Sequence, residues 1–120
     1  MEKKYISIGK ETLAYLDKGE GDVVLMVHGN MSSSVHYEPL IDRICDKYRC
    51  VAVDLRGFGD SSYNDRFDSL EELADDVALF IDALGLGSVY LVGWSNGGGV
   101  SLKLCAKYPE KVKKFFDIEG

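Results

Sequence analysis

Residues 89–99 read Val-Tyr-Leu-Val-Gly-Trp-Ser-Asn-Gly-Gly-Gly, and this stretch constrains the fold more than any other. Residues 89–92 are β-branched and apolar, as in a buried strand. Gly93-Trp94-Ser95-Asn96-Gly97 fits G-x-S-x-G, and a helix-length segment with Val100, Leu102, Leu104 and Cys105 follows as far as Tyr108-Pro109. Strand, glycine-flanked serine and helix form one context: a sharp, strained turn that lifts the serine hydroxyl clear of the sheet. Gly93 and Gly97 are expected to lack a Cβ because strand and helix approach closely there. The dinucleotide pattern G-x-G-x-x-G is absent, as is the lysine a phosphate loop needs.

The other segments supply a sheet for that turn. Residues 5–8 and 12–17 form a hairpin around Gly9-Lys10-Glu11. Val23–Val27 is apolar on both faces, as a central parallel strand is. A helix is expected over residues 35–47, with Leu40, Ile41, Ile44 and Cys45 inward and Pro39 tolerated only in its first turn. Residues 50–54 form the next strand. Ser69 and Glu72 make a capping box for a helix with Leu70, Leu73, Val77, Ile81 and Leu84 on one face and Glu71, Asp75, Asp76 and Asp82 around it, closed by Gly85. Val112–Ile118 forms a last strand. The alternation predicts an α/β fold: a mostly parallel sheet with helices on both faces, behind an N-terminal β-hairpin. His28-Gly29-Asn30, residues 54–61 and residues 93–97 all start at strand carboxyl ends, where such sheets bind ligands.

The 120 residues carry a net charge of −6, which argues against nucleic-acid and anionic-membrane partners. The start, Met1-Glu2-Lys3-Lys4, leads into no apolar signal segment, and no run approaches the ~20 residues of a membrane span, so a cytoplasmic location is expected. Three cysteines without a C-x-x-C pair read as free thiols, and no metal or cofactor is expected.

His28-Gly29-Asn30, Asp54-Leu55-Arg56-Gly57-Phe58-Gly59-Asp60-Ser61, Gly93-Trp94-Ser95-Asn96-Gly97-Gly98 and Tyr108-Pro109-Glu110-Lys111-Val112, in this order, resemble the α/β-hydrolase superfamily and its small serine esterase-like members. The Asn-Met-Ser-Ser-Ser run with the Gly-Trp-Ser elbow is similar to intracellular polyhydroxyalkanoate depolymerase-like hydrolases. The resemblance implies Ser95 as nucleophile, the backbone N–H groups of Asn30 and Asn96 as oxyanion hole, and a small ester or acyl substrate. It makes His28 a structural histidine beside the oxyanion loop, and Asp54 and Arg56 residues that hold a loop together. His36 is expected at the surface or the pocket rim. Trp94 either lines the acyl pocket or packs on the core. Asn30 also occurs in similar haloalkane dehalogenases, whose nucleophile is a carboxylate; Ser95 stands at that position here.

The superfamily order is nucleophile, acid, histidine. Both histidines, His28 and His36, precede Ser95. Some members take the acid from the end of the strand corresponding to Val112–Ile118; Glu119 is the candidate, ahead of Asp117. Residues 1–120 are therefore expected to be the N-terminal part of one hydrolase domain, inactive alone, with its last strand exposed and able to self-associate. The alternative is a non-catalytic binding or receptor module of the same fold.

Overall fold

The computed structural model describes residues 1–29, 32–94 and 96–118, with the side chains of residues 96–98 excluded. Among the described residues six strands form one sheet: β1 (Lys4–Ser7), β2 (Thr12–Lys18), β3 (Val23–Val27), β4 (Arg49–Val53), β5 (Val89–Trp94) and β6 (Val112–Ile118), in the order β1-β2-β4-β3-β5-β6. The hairpin β1–β2 runs antiparallel and joins β4 antiparallel; β4, β3, β5 and β6 are mutually parallel. The expected parallel core behind an N-terminal hairpin is thus present. β3, with Val, Leu and Met only, is buried along its whole length at the centre.

Helices α2 (Leu70–Leu84) and α3 (Asn96–Lys107) cover one face, where Leu73, Val77, Phe80, Ile81, Val100 and Leu104 pack on Leu25, Val27, Val51, Val53 and Leu91. On the other face α1 (Glu38–Ile44) seals Tyr37 and Ile41 against Leu16, Val24, Met26, Ala52 and Val92. The helix expected over residues 35–47 is divided: a 3-10 turn, Ser34–Tyr37, precedes α1, and Pro39 falls in the first turn of α1. Proline lacks an N–H and clashes with a preceding turn, so regular α-helix begins only around it.

α2 starts and stops as its sequence dictates. The Ser69 hydroxyl accepts the Glu72 N–H at 3.3 Å, and the Glu72 carboxylate accepts the Ser69 N–H at 3.2 Å. Gly85 closes the helix in the left-handed region at φ 65°. Two positions on α2 differ from the expected pattern. Leu70 is 40% exposed although it stands on the apolar stripe. Asp76, expected on the polar side, is buried, because Arg56 reaches over it from the loop after β4 with two bonds of 2.7 and 2.8 Å. No described helix is long and apolar enough to cross a membrane.

Candidate active site

Parallel pairing sets the strand ends that carry the motifs side by side. Val27 of β3 pairs with Val53 of β4 and with Gly93 of β5, and Gly93 pairs in turn with Asp117 of β6. The chain therefore leaves β3, β4 and β5 at one edge. β5 ends at Trp94 and α3 begins at Asn96, so the glycine-flanked turn is bracketed by strand and helix. Ser95 itself, Asn30 and Glu119 lie outside the described residues. Of the flanking glycines, Gly93 is buried at the end of β5, and Gly97 belongs to the first turn of α3. The first N–H groups of α3 have no partner within the helix, and its dipole is positive at that end.

Two clamps to the segment that follows β4 hold the described residues on either side of positions 30 and 31. The upstream one is His28, fully buried at the end of β3. Its Nε2 accepts the Leu55 N–H at 2.9 Å, which leaves the proton on Nδ1, donated to the Gly29 carbonyl at 2.8 Å. Burial pushes this imidazole below its ordinary range, and the bond to Gly29 only partly offsets it. The neutral ring bridges two strand ends, the structural part expected of it. The downstream clamp is Asp54, whose carboxylate is entirely buried. It accepts the Ser34 N–H at 2.7 Å, the Asp60 N–H at 3.0 Å and the Lys3 ammonium at 2.6 Å. Burial alone would raise the carboxyl; the Lys3 ammonium and the two backbone donors outweigh it and hold it below the usual carboxylate range. Gly59 sits against this carboxylate at φ 54°, where any Cβ would collide with the carboxyl atoms. A third tie, from the Tyr37 hydroxyl to the Val27 carbonyl at 2.7 Å, fastens the segment to β3.

Arg56 and Asp76 close the neighbouring loop, as the loop-holding role of Arg56 anticipated. Glu11, read from sequence as a turn residue, is buried and accepts the Ser62 hydroxyl and the N–H groups of Asn64 and Asp65. Neither Lys3 nor Glu11 stood out in the sequence, because their partners lie 51 to 54 residues away. His36 is exposed; its Nδ1 lies 2.5 Å from the Ser32 hydroxyl, and its ring stands edge-on to Trp94 at 6.2 Å. Trp94 packs, half-buried, against the core on the α1 side. Among the described residues no cluster of His, Cys, Asp and Glu could hold a metal ion.

These clamps carry two predictions. Lys3→Met leaves the buried Asp54 carboxylate without its cation, and breaking such a pair costs about 3 kcal/mol or more. Urea titration is expected to show that loss; a midpoint unchanged from wild type would refute the clamp. The second concerns acid. The folded-state pKa of His28 is depressed from 6.5, so its contribution to stability is full above that pH and declines as pH falls below it. Asp54, depressed from 3.8, contributes above that value and is lost as pH falls through its lower folded pKa. Thermal melts from pH 8 to pH 3 should therefore fall in two stages, and a melting temperature flat down to pH 4.5 would contradict the His28 assignment.

The profile of the family described as "alpha/beta hydrolase fold" matches residues 22–119. Over 114 residues the chain is 38% identical to 2-(acetamidomethylene)succinate hydrolase of Mesorhizobium japonicum, covering 95% of this chain and 41% of the relative. It is 31% identical to haloalkane dehalogenase 2 of Mycobacterium tuberculosis, covering 93% of this chain and 40% of that enzyme. The crystal structure of a putative lipase from Acinetobacter baumannii superposes with a TM-score of 0.93 at 27% identity, over 99% of this chain and 42% of that one. A sheet of this order with a glycine-flanked serine between β5 and α3 defines the class, and the chain belongs to the alpha/beta hydrolase family. It spans about two fifths of the length of these relatives.

Proposed function

We propose that this chain is the N-terminal part of a serine hydrolase that cleaves a carboxylic ester or related acyl bond through an acyl-Ser95 intermediate. What supports the reading is the bracketing of Ser95 by β5 and α3 at the edge where the doubly clamped loop also emerges. A serine hydroxyl attacks a carbonyl only when a base takes its proton and donors receive the oxyanion. In this reading the N–H groups of Asn30 and Asn96 are the donors, Glu119 orients the base, and a histidine beyond residue 120 is the base. Attack joins Oγ of Ser95 to the carbonyl carbon, the proton passes to the alcohol that leaves, and water then releases the acid. Relatives named as dehalogenases widen the range of reactions to consider. Displacing a halide by an alkyl-enzyme route takes a carboxylate nucleophile, and a serine stands here instead.

Mass spectrometry of the full-length protein after a fluorophosphonate probe is the direct test. The expected adduct is on the peptide containing Ser95, at one probe per chain. Absence of labelling on an intact, folded protein would favour a non-catalytic binding module. Residues 1–120 alone are expected to label far more slowly, and labelling at the full-length rate would overturn their proposed inactivity.

A further inference from the structure

We propose that His36 is a positioning residue that couples the loop after β3 to the serine turn and keeps the oxyanion donors and Ser95 in one register; this rests on the serine-hydrolase reading above. The first link is to the loop. The Ser33 N–H donates to Nδ1 of His36 at 3.3 Å. A backbone N–H can only donate, so Nδ1 is unprotonated, and the Ser32 hydroxyl, 2.5 Å away, donates to it as well. Ser32 and Ser33 are the first described residues after positions 30 and 31. At the third position of the 3-10 turn the ring does what Glu or Gln does in a capping box. It accepts the N–H of the residue before the turn and so fixes how the chain enters it.

The second link is to Trp94. The same ring stands edge-on to the indole, with centroids 6.2 Å apart and planes at 67°, a geometry that aromatic pairs favour. Trp94 ends β5 and immediately precedes Ser95. It packs against the core on the α1 side, so the contact is rooted in the sheet. His28 and Asp54 tie the loop to residues that follow β4. His36 ties it to β5, at the residue before the nucleophile.

Exposure decides which quantity these links affect. His36 is exposed, so water takes over its hydrogen-bond partners when the ring is removed, and the fold loses little. Rate is far more sensitive to placement. A shift of about 1 Å at the reacting atoms can cost roughly a hundredfold. Oxyanion donors are matched to the oxygen of the tetrahedral state and not to the ground-state carbonyl. A loop displaced relative to Ser95 therefore weakens the transition state while leaving substrate binding almost intact.

The test is the kinetics of H36A, H36Q and H36F in the full-length protein on p-nitrophenyl acetate, with phenylboronic acid as the probe of the tetrahedral state at Ser95. H36A should lower kcat about tenfold or more and weaken phenylboronic acid by a similar factor, with KM changed less than about twofold. Its melting temperature should stay within about 2 °C of wild type. H36Q keeps an acceptor for the Ser33 N–H, and H36F keeps a ring against Trp94. Each restores one link and should recover part of the loss. A folded H36A with wild-type kcat and wild-type affinity for phenylboronic acid would overturn the proposal. So would a loss confined to KM, which would make His36 a substrate contact, and so would H36Q and H36F both as slow as H36A. No turnover by wild type, together with no fluorophosphonate adduct on Ser95, would instead remove the serine-hydrolase reading and this proposal with it.

Discussion

Replacing Ser95 by alanine is expected to lower ester hydrolysis by the full-length protein by roughly three orders of magnitude or more, the range seen when a nucleophile is removed from a triad. Two chemistry-bearing side chains that the ends of β3 and β4 bring to this edge are committed elsewhere. His28 is buried and tied at both nitrogens, and Asp54 is buried and engaged with three donors. The loss should fall on kcat, with KM for a short activated ester little changed, because the clamps that shape the loop are untouched. Residual activity should come only from the oxyanion donors and binding. Turnover by the Ser95→Ala protein at the wild-type rate would exclude Ser95 and direct attention to another nucleophile.

The second large effect concerns residues 1–120 on their own, which are expected to self-associate at micromolar concentration. Among the described residues β6 pairs with β5 alone, so its outer edge offers unpaired N–H and C=O groups. Such an edge is a template for another strand unless charge or proline blocks it. β6 contains no proline. Of the lysines near it, Lys111 is paired with Asp82 and Lys113 with Asp22, while Lys114 lies over the Phe116 ring and lines the groove beside this edge as its one cation. Phe116 and Ile118 are 46% and 41% exposed. With Leu40, Ile44, Tyr90 and Val92 they line an apolar groove of about 620 Å³ on the α1 side. Edge and groove together would bury apolar surface and pair backbone in a second copy. Sedimentation velocity should show dimers or larger species, and the double variant Phe116→Lys, Ile118→Lys should return the chain to monomer. A sharp wild-type monomer with cooperative unfolding would show this half to be an autonomous domain.

Much of the fold was legible in the sequence because its signals are local. A run such as Val23–Val27 has no polar face and fits only a central strand. The Ser69–Glu72 box and Gly85 bound α2 by bonds within a few residues of each other. The serine motif was legible for the same reason: its glycines and flanking segments are contiguous, so strand, turn and helix are specified by short-range geometry. The structural role of His28 was implied by the resemblance of His28-Gly29-Asn30 to its family, not by a local pattern.

What the tertiary structure decided involves partners far apart in the chain. Sequence put Asp76 on the polar side of α2, among Glu71, Asp75 and Asp82; only the path of the loop after β4 brings Arg56 over it and buries the pair. Lys3 belonged to an unremarkable charged start, and its ammonium became the counter-ion of Asp54 because β1 adds to the sheet edge next to β2. Leu70 matched the inner stripe of its helix by periodicity, yet the segments facing it leave a cavity in place of a wall. Periodicity sets the direction of a side chain from its own backbone, over a distance of a few residues. Whether a carboxylate is neutralised, a leucine covered or a loop clamped at both ends depends on which distant segments meet there, and that is settled by strand order and register, which no local pattern encodes.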